Sequence, residues 1–196
     1  DVSEANKNLK WLKDTSKISR IIGCSDLIIA GNPYLSDYAR QYNQNVVIIP
    51  TTIDTDEYSK QDIDRKDSDR VIIGWSGSIT TIKHFEFAVP VLKKIREKYG
   101  AKVEFRVIGD ARYRNESLGI IGQAWKRETE VADLSAFDIG IMPIPNDDWS
   151  KGKCALKGLQ YMALEIPAVM SPVGVNSEVI QDGINGYLAS EETEWV

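Results

Sequence analysis

Short, uninterrupted apolar runs recur along this chain, with amphipathic stretches between them. Val46-Val-Ile-Ile49, Val71-Ile-Ile73 and Ile139-Gly-Ile-Met142 are examples. A strand buried on both faces reads as such a run, whereas a half-exposed strand alternates. Parallel neighbours also need long crossovers, usually helical. The pattern therefore predicts an α/β fold with a doubly wound, Rossmann-like parallel sheet. Strands are expected at 26–30 and 46–49, then at 71–75, 103–109, about 119–123, 137–142, 168–171 and 186–189. Helices fit 4–22, 34–43, 83–99, 128–135, 154–165 and 175–181, with Gly100 placed to stop the third.

Between Thr51 and Arg70 the chain turns acidic and has few apolar residues. This predicts a linker at 51–70. Residues 1–50 then read as the C-terminal part of a preceding α/β domain. Residues 71–196 read as a second α/β domain, truncated within a helix begun at Glu194-Trp195-Val196. The first methionine is Met142, so the sequence is expected to be a piece of something larger.

Composition removes several functions. The net charge is −5 and no basic stripe stands out, so nucleic acid is not an expected partner. No apolar run approaches the roughly 20 residues of a bilayer span. Cys24 and Cys154 make no disulfide framework, which points to a reducing cytoplasm. His84 is the one histidine, which leaves no multi-histidine metal site and little support for a hydrolase triad.

In a doubly wound sheet, ligands sit beyond the carboxyl ends of the strands, at helix N-termini. Three segments qualify. Gly74-Trp75-Ser76-Gly77-Ser78 follows a strand, and Lys83 follows it, but it is neither a P-loop nor G-x-G-x-x-G. Val107-Ile108-Gly109-Asp110 runs a strand into glycine. Lys151–Glu165 reads as a helix with Lys153, Lys157 and Gln160 on one face, and with Leu156, Leu159 and Ala163 turned to the sheet. Lysines at a helix start oppose the macrodipole unless an anion lies over them. Other residues read more ordinarily. Asp54-x-Asp56 lies in the linker, and His84 suits a cap or the surface. Asp147-Asp148-Trp149 forms a loop that can border the site. Trp125 suits stacking on a base or covering the core. Cys154 fits a small buried position better than a reactive thiol.

Taken together these segments resemble the sugar-donor half of a GT-B glycosyltransferase, family 4. Ile48-Ile-Pro-Thr-Thr-Ile-Asp54 resembles the I-P-N-G-V-D joint between domains. Gly77-Ser-Ile-Thr-Thr-Ile-Lys83 resembles G-R-L-x-x-x-K. Phe137-Asp-Ile-Gly-Ile-Met-Pro143 resembles D-[IV]-x-[IV]-x-P. Lys157–Val169 resembles K-x-x-E-Y-M-A-x-G-x-P-V-V. Val173–Glu178 and Asp182–Gly186 resemble G-x-x-E and D-G-x-N-G. The chain departs from the family in four places. Ser78 stands where the family has a phosphate-binding arginine. Gly152 and Gln160 occupy its two E-x7-E acid positions, and Glu165 replaces a glycine.

The resemblance implies binding of a UDP- or GDP-linked sugar. Gly77, Ser78, Lys83, Gly109, Trp125, Lys153, Cys154, Ala155, Leu156, Lys157 and Gln160 would hold it. Lys83 would pair with the diphosphate, N–H groups near 153–156 with phosphate or sugar, and Gln160 with the ribose. The implied reaction is transfer of a hexosyl group to a glycan or lipid-linked acceptor, with retention and without a metal or other cofactor. This belongs to polysaccharide biosynthesis in the cytoplasm, with peripheral membrane contact through the missing part. Catalytic residues are expected in the missing N-terminal part, so the piece alone is expected to be inactive. The alternative is a degenerate domain kept as a binding or scaffold module, motivated by Gly152 and Gln160.

Overall fold

The structure is a computed structural model that describes residue 14 and residues 16–61 and 69–196. Most of the helix expected at 4–22 lies outside these residues. Its described part is α1 (Lys17–Cys24). β1 (Ile28–Ala30) pairs in parallel with β2 (Val46–Ile48), and α2 (Pro33–Arg40) crosses between them. Asn32 caps α2 by accepting the Leu35 N–H at 2.8 Å, and Pro33 takes the first helical position.

The main sheet has six strands. In chain order these are β3 (Val71–Ser76), β4 (Val103–Gly109), β7 (Gln123–Ala124), β8 (Ile139–Met142), β9 (Ala168–Met170) and β10 (Tyr187–Leu188). Their spatial order is β10-β9-β8-β3-β4-β7, every pair parallel. β3 is central, with β4 on one side and β8 on the other. The chain therefore reverses its direction of growth around β3, and the crevice beyond its C-terminal end is where such a sheet binds ligands.

Helices cover both faces. On one, α3 (Ile82–Tyr99) buries Phe85, Leu92 and Ile95 against Ile73, Trp75 and Val107. On the other, Leu134 of α4 (Glu130–Ser135) and Tyr161 of α6 (Leu156–Ala163) pack with Phe137 and Met170. Both layers are needed to bury a sheet this apolar.

Three local readings change. The strand expected at 119–123 is two short pieces. β6 (Ile120–Ile121) pairs antiparallel with β5 (Arg114–Asn115), and only β7 joins the main sheet. The stretch Lys151–Glu165, read as one helix, is broken at 152–155. α5 (Asp148–Lys151) ends at Gly152, and α6 starts after Ala155, which has a left-handed φ of 55°. The cause is tertiary, because Asn32 Nδ2 donates to the Lys151 and Lys153 carbonyls at 3.2 and 3.1 Å and holds the chain in a bend. Lys153 is thus not on one helix face with Lys157 and Gln160. Leu156, expected on the sheet, is exposed instead. Gly158 and Tyr161 take the buried positions.

Residues 62–68 of the expected linker lie outside the described residues. The preceding part is not simply a solvated tether, because Tyr58 is buried in the core of the six-stranded sheet.

Glu165, which stands where the family has a glycine, has a φ of 57°. A non-glycine residue there costs about 1–2 kcal/mol, and the exposed Lys60–Glu165 ion pair at 2.7 Å recovers little of it. Glu165→Gly is therefore expected to raise stability by about 1 kcal/mol after the extra chain entropy of glycine is subtracted. A lower urea midpoint than that of the unchanged protein would refute this.

Candidate nucleotide-binding cleft

The C-terminal ends of β3 and β4 open into a cleft of about 530 Å³. Gly77, Ser78, Gly109, Trp125, Leu156, Lys157 and Gln160 line it, as do Thr81 and Glu130. These are seven of the residues singled out in the sequence, drawn from four separated segments.

One wall is backbone. The Gly77 N–H donates to the Ile108 carbonyl at 2.9 Å, which ties the loop after β3 to β4. Gly109 lies against this junction with a φ of 143°, a conformation that essentially only glycine adopts. Ser78 uses its side chain locally. It forms a capping box with Thr81, whose Oγ1 accepts the Ser78 N–H at 2.9 Å. Ser78 thus shapes the turn into α3 and brings no charge in place of an arginine.

The opposite wall is the start of α6. No side chain caps this helix, so its first-turn N–H groups have no side-chain acceptor at its positive dipole end, and Leu156 and Lys157 of that turn line the cleft. Lys157 sits in this turn with Nζ 5.9 Å from the centre of the Trp75 ring. Burial, with nearby Lys153 adding to it, lowers the Lys157 ammonium to a pKa of about 8. A half-buried cation at an uncapped helix start is a poor arrangement by itself. It becomes favourable once an anion is bound.

The remaining candidates fall outside the lining. Lys83 is exposed on the first turn of α3, yet close enough to lower the pKa of Lys153, for which burial is the larger cause. Lys153 Nζ lies 5.7 Å from the centre of the Trp149 ring. Cys154 turns toward Gly31 and Asn32 at the end of β1, and Ala155 is fully buried in the bend before α6. Asp147 caps α5 by accepting the Ser150 N–H at 2.7 Å, and none of Asp147, Asp148 and Trp149 reaches the cleft lining. Asp54 Oδ1 accepts the Asp56 and Glu57 N–H groups at 3.0 and 3.3 Å, so the D-x-D pair is a local turn.

His84 is not the expected surface residue or cap. It is 4% exposed, and its Nε2 has no partner. Burial, then the charges of Lys153 and Lys83, lowers it to a pKa of about 4. The folded pKa is below the unfolded value of about 6.5. The contribution of His84 to stability is therefore full above 6.5 and lost as pH falls toward 4. His84→Leu is expected to remove roughly 2 kcal/mol of the stability lost between pH 7 and pH 4.5. Urea midpoints at the two pH values measure this. An equal acid loss in both proteins would contradict it.

Sequence reasoning missed Glu130 and Tyr58. Glu130, 8% exposed, accepts from Trp125 Nε1 at 2.9 Å, from Gln160 Nε2 at 3.1 Å and from Tyr58 Oη at 2.6 Å. Gln160 Nε2 also donates to Tyr58 Oη at 3.0 Å. An acid in the first turn of a helix looks like ordinary capping, and Tyr58 sits in an acidic stretch, so neither carried a signal.

Residues 70–196 match the family model described as glycosyl transferases group 1. The chain belongs to this family. Its fold is that of solved GT-B glycosyltransferases. A TarM mutant from S. aureus, in complex with fondaparinux, alpha-GlcNAc-glycerol and UDP, is 15% identical with a TM-score of 0.65. The match covers 91% of this glycosyltransferase chain and 38% of that one. HepE from Anabaena, in complex with UDP and glucose, is 15% identical at 0.62, over 87% and 51%. The C-terminal domain of the group 1 protein LpcC from Francisella tularensis is 20% identical at 0.56, over 70% and 80%. The chain thus spans between about two fifths and one half of TarM and HepE. A comparison with curated proteins gives no match. Among the described residues, no helix of this glycosyltransferase chain is long and apolar enough to cross a membrane.

Proposed function

We propose that this chain binds the nucleoside diphosphate of an activated sugar in the cleft at the ends of β3 and β4. The observation that carries the reading is the half-buried Lys157 at the uncapped start of α6, which lines one cleft with the glycine backbone of Gly77 and Gly109. These groups suit a diphosphate, and the exposed face of Trp125 at the other end suits a base. Lys83 and Lys153 add positive potential from outside the lining.

In the whole protein, the sugar is transferred to a glycan or lipid-linked acceptor with retention of configuration. Lys157 and the α6 N–H groups hold the diphosphate and stabilise the charge it gains as leaving group, which assigns this role to the chain rather than to a metal. Residues 1–50 are the end of an acceptor-binding domain, 51–70 the connection and 71–196 the sugar-donor domain, so the piece alone binds without turning over. The protein works in the cytoplasm, with peripheral contact at the inner face of the membrane.

Calorimetric titration of the chain with UDP, GDP and ADP tests the reading. Saturable binding of one diphosphate, weakened by Lys157→Met, is expected. Failure of all three to bind would leave the cleft without its proposed ligand and favour the scaffold reading.

A further inference from the structure

Asn32 joins two parts of the molecule that are remote in sequence. It stands just past the end of β1, is 1% exposed, and uses both ends of its side-chain amide. Oδ1 accepts the Leu35 N–H at 2.8 Å and caps α2. Nδ2 donates to the Lys151 and Lys153 carbonyls at 3.2 and 3.1 Å, one hydrogen for each. The cap needs the oxygen and the carbonyls need the nitrogen, so the two demands fix the same orientation of the amide.

The segment that this amide grips has little room to move. A Cβ at Gly31 would lie 2.7 Å from Cys154 Sγ, and one at Gly174 would lie 3.0 Å from the Lys151 carbonyl oxygen. Residues 151–154 are thus enclosed between the end of β1 and the loop after β9. Directly after them, Ala155 has its left-handed φ of 55° and is fully buried. Such strain in a non-glycine residue persists only where the surroundings over-determine it, and it gathers at ligand clamps. An ordinary N-cap is extended and offers a side-chain oxygen to the first turn. Ala155 does neither, and α6 therefore starts uncapped with Leu156 and Lys157 on the cleft lining.

We infer that Asn32 is a positioning residue for nucleotide binding. Its amide imposes the bend at 151–155 and so holds the first turn of α6 where the diphosphate needs it. Asn32 lies outside the cleft lining and acts only through this bend. The β1–α2–β2 unit thereby sets an affinity that is exercised at the six-stranded sheet. The inference rests on the nucleotide-sugar reading above and adds to it a residue from a different sheet.

The test uses the chain itself with UDP, GDP and ADP, and then its variants with whichever binds tightest. Asn32→Ser keeps an oxygen to cap α2 and removes both donors to the bend. The strain of a left-handed alanine is then unopposed, which lowers the population of the bent form about tenfold. Apparent affinity falls with that population, so binding is expected to weaken about tenfold. Adding Ala155→Gly removes the steric cost of a positive φ and should recover most of the loss. Amide hydrogen exchange without ligand gives a second readout. The Lys153 and Leu159 N–H groups bond to the Ser150 and Ala155 carbonyls at 3.0 and 3.1 Å. They should exchange faster in Asn32→Ser, while the amides of β9 keep their rates. Asn32→Asp also keeps the cap and loses the donors, and it replaces Asn32→Ser if that variant does not fold. Undiminished affinity in either folded variant overturns the inference. So does a loss of affinity with exchange raised equally in β9, which would mark general destabilisation, or a loss that glycine at 155 does not recover. If none of the three diphosphates binds the unchanged chain, the nucleotide-sugar reading falls and this one with it. If one binds and its affinity ignores Asn32, only this inference falls.

Discussion

Lys157→Met is expected to weaken nucleoside-diphosphate binding by about tenfold to a hundredfold while making the fold more stable. Hydrogen bonds from a charged group contribute roughly 1.5–3 kcal/mol each, and Lys157 is the one lysine that lines the cleft. The opposite effect on stability follows from its burial. The ammonium has a folded pKa of about 8, against about 10.5 unfolded. The folded state therefore holds this proton less tightly than the unfolded chain does. The cost of the charged lysine is full below pH 8 and disappears as pH rises toward 10.5. Methionine keeps much of the side-chain volume and removes that cost. A gain of about 1–2 kcal/mol at pH 7 is expected, after allowance for solvent that still reaches the group. Affinity of the unchanged chain should fall as pH rises through 8, because the bound diphosphate needs the protonated lysine. Calorimetry at pH 7 and 9, with urea unfolding of both proteins, measures all three effects. A variant that is both less stable and unimpaired in binding would show that Lys157 is a packing residue.

Gly109→Ala is expected to cost more than about 3 kcal/mol and to lower the melting temperature by about 10 °C. The residue has a φ of 143°, where any side chain strains the backbone. A Cβ there would also overlap the carbonyl oxygen of Gly77. That obstacle is backbone, held by the Gly77 N–H bond to the Ile108 carbonyl, so it cannot swing aside as a flexible side chain would. Relief would require the loop after β3 to move, and that loop is a wall of the cleft. Nucleotide binding should therefore be lost even in the molecules that remain folded. Gly119→Ala provides the control. Gly119 also has a positive φ, of 67°, but nothing lies within 4 Å of a Cβ placed there. Its loss should stay near 1 kcal/mol and leave binding intact. Similar losses at both positions would mean that the contact with Gly77 is not rigid.

Much of the sheet was legible because each buried strand carries its own signature. Val71–Ser76, Ile139–Met142 and Ala168–Met170 are short, largely apolar segments, Val103–Gly109 alternates apolar with charged residues before it turns apolar, and all four are strands. Strand-end glycines were legible as well, because Gly77 and Gly109 follow apolar runs where a ligand or another backbone must come close. The misreadings share a different cause. Helical periodicity runs through Lys151–Glu165, but Asn32, remote in sequence, bends the chain at 151–155. His84 follows Lys83 at the start of a helix, a place that suits a cap or the surface, yet the packing of α3 buries it. Glu130 looks like a first-turn acid until Tyr58, Trp125 and Gln160 converge on it.

The sequence by itself determined the fold class, the strand and helix segments that build it, and the glycine and lysine segments that line the cleft. Such features are local, since periodicity, breakers and helix starts are properties of neighbouring residues. Only the tertiary structure decided which side chains face the cleft and which face elsewhere. It turned Cys154 toward β1, buried Ala155, and brought a carboxylate from α4 to the amide of Gln160. A buried charge has to be met by hydrogen bonds wherever the chain can supply them, and here they come from residues 58, 125 and 160, which are neighbours only after the sheet has formed.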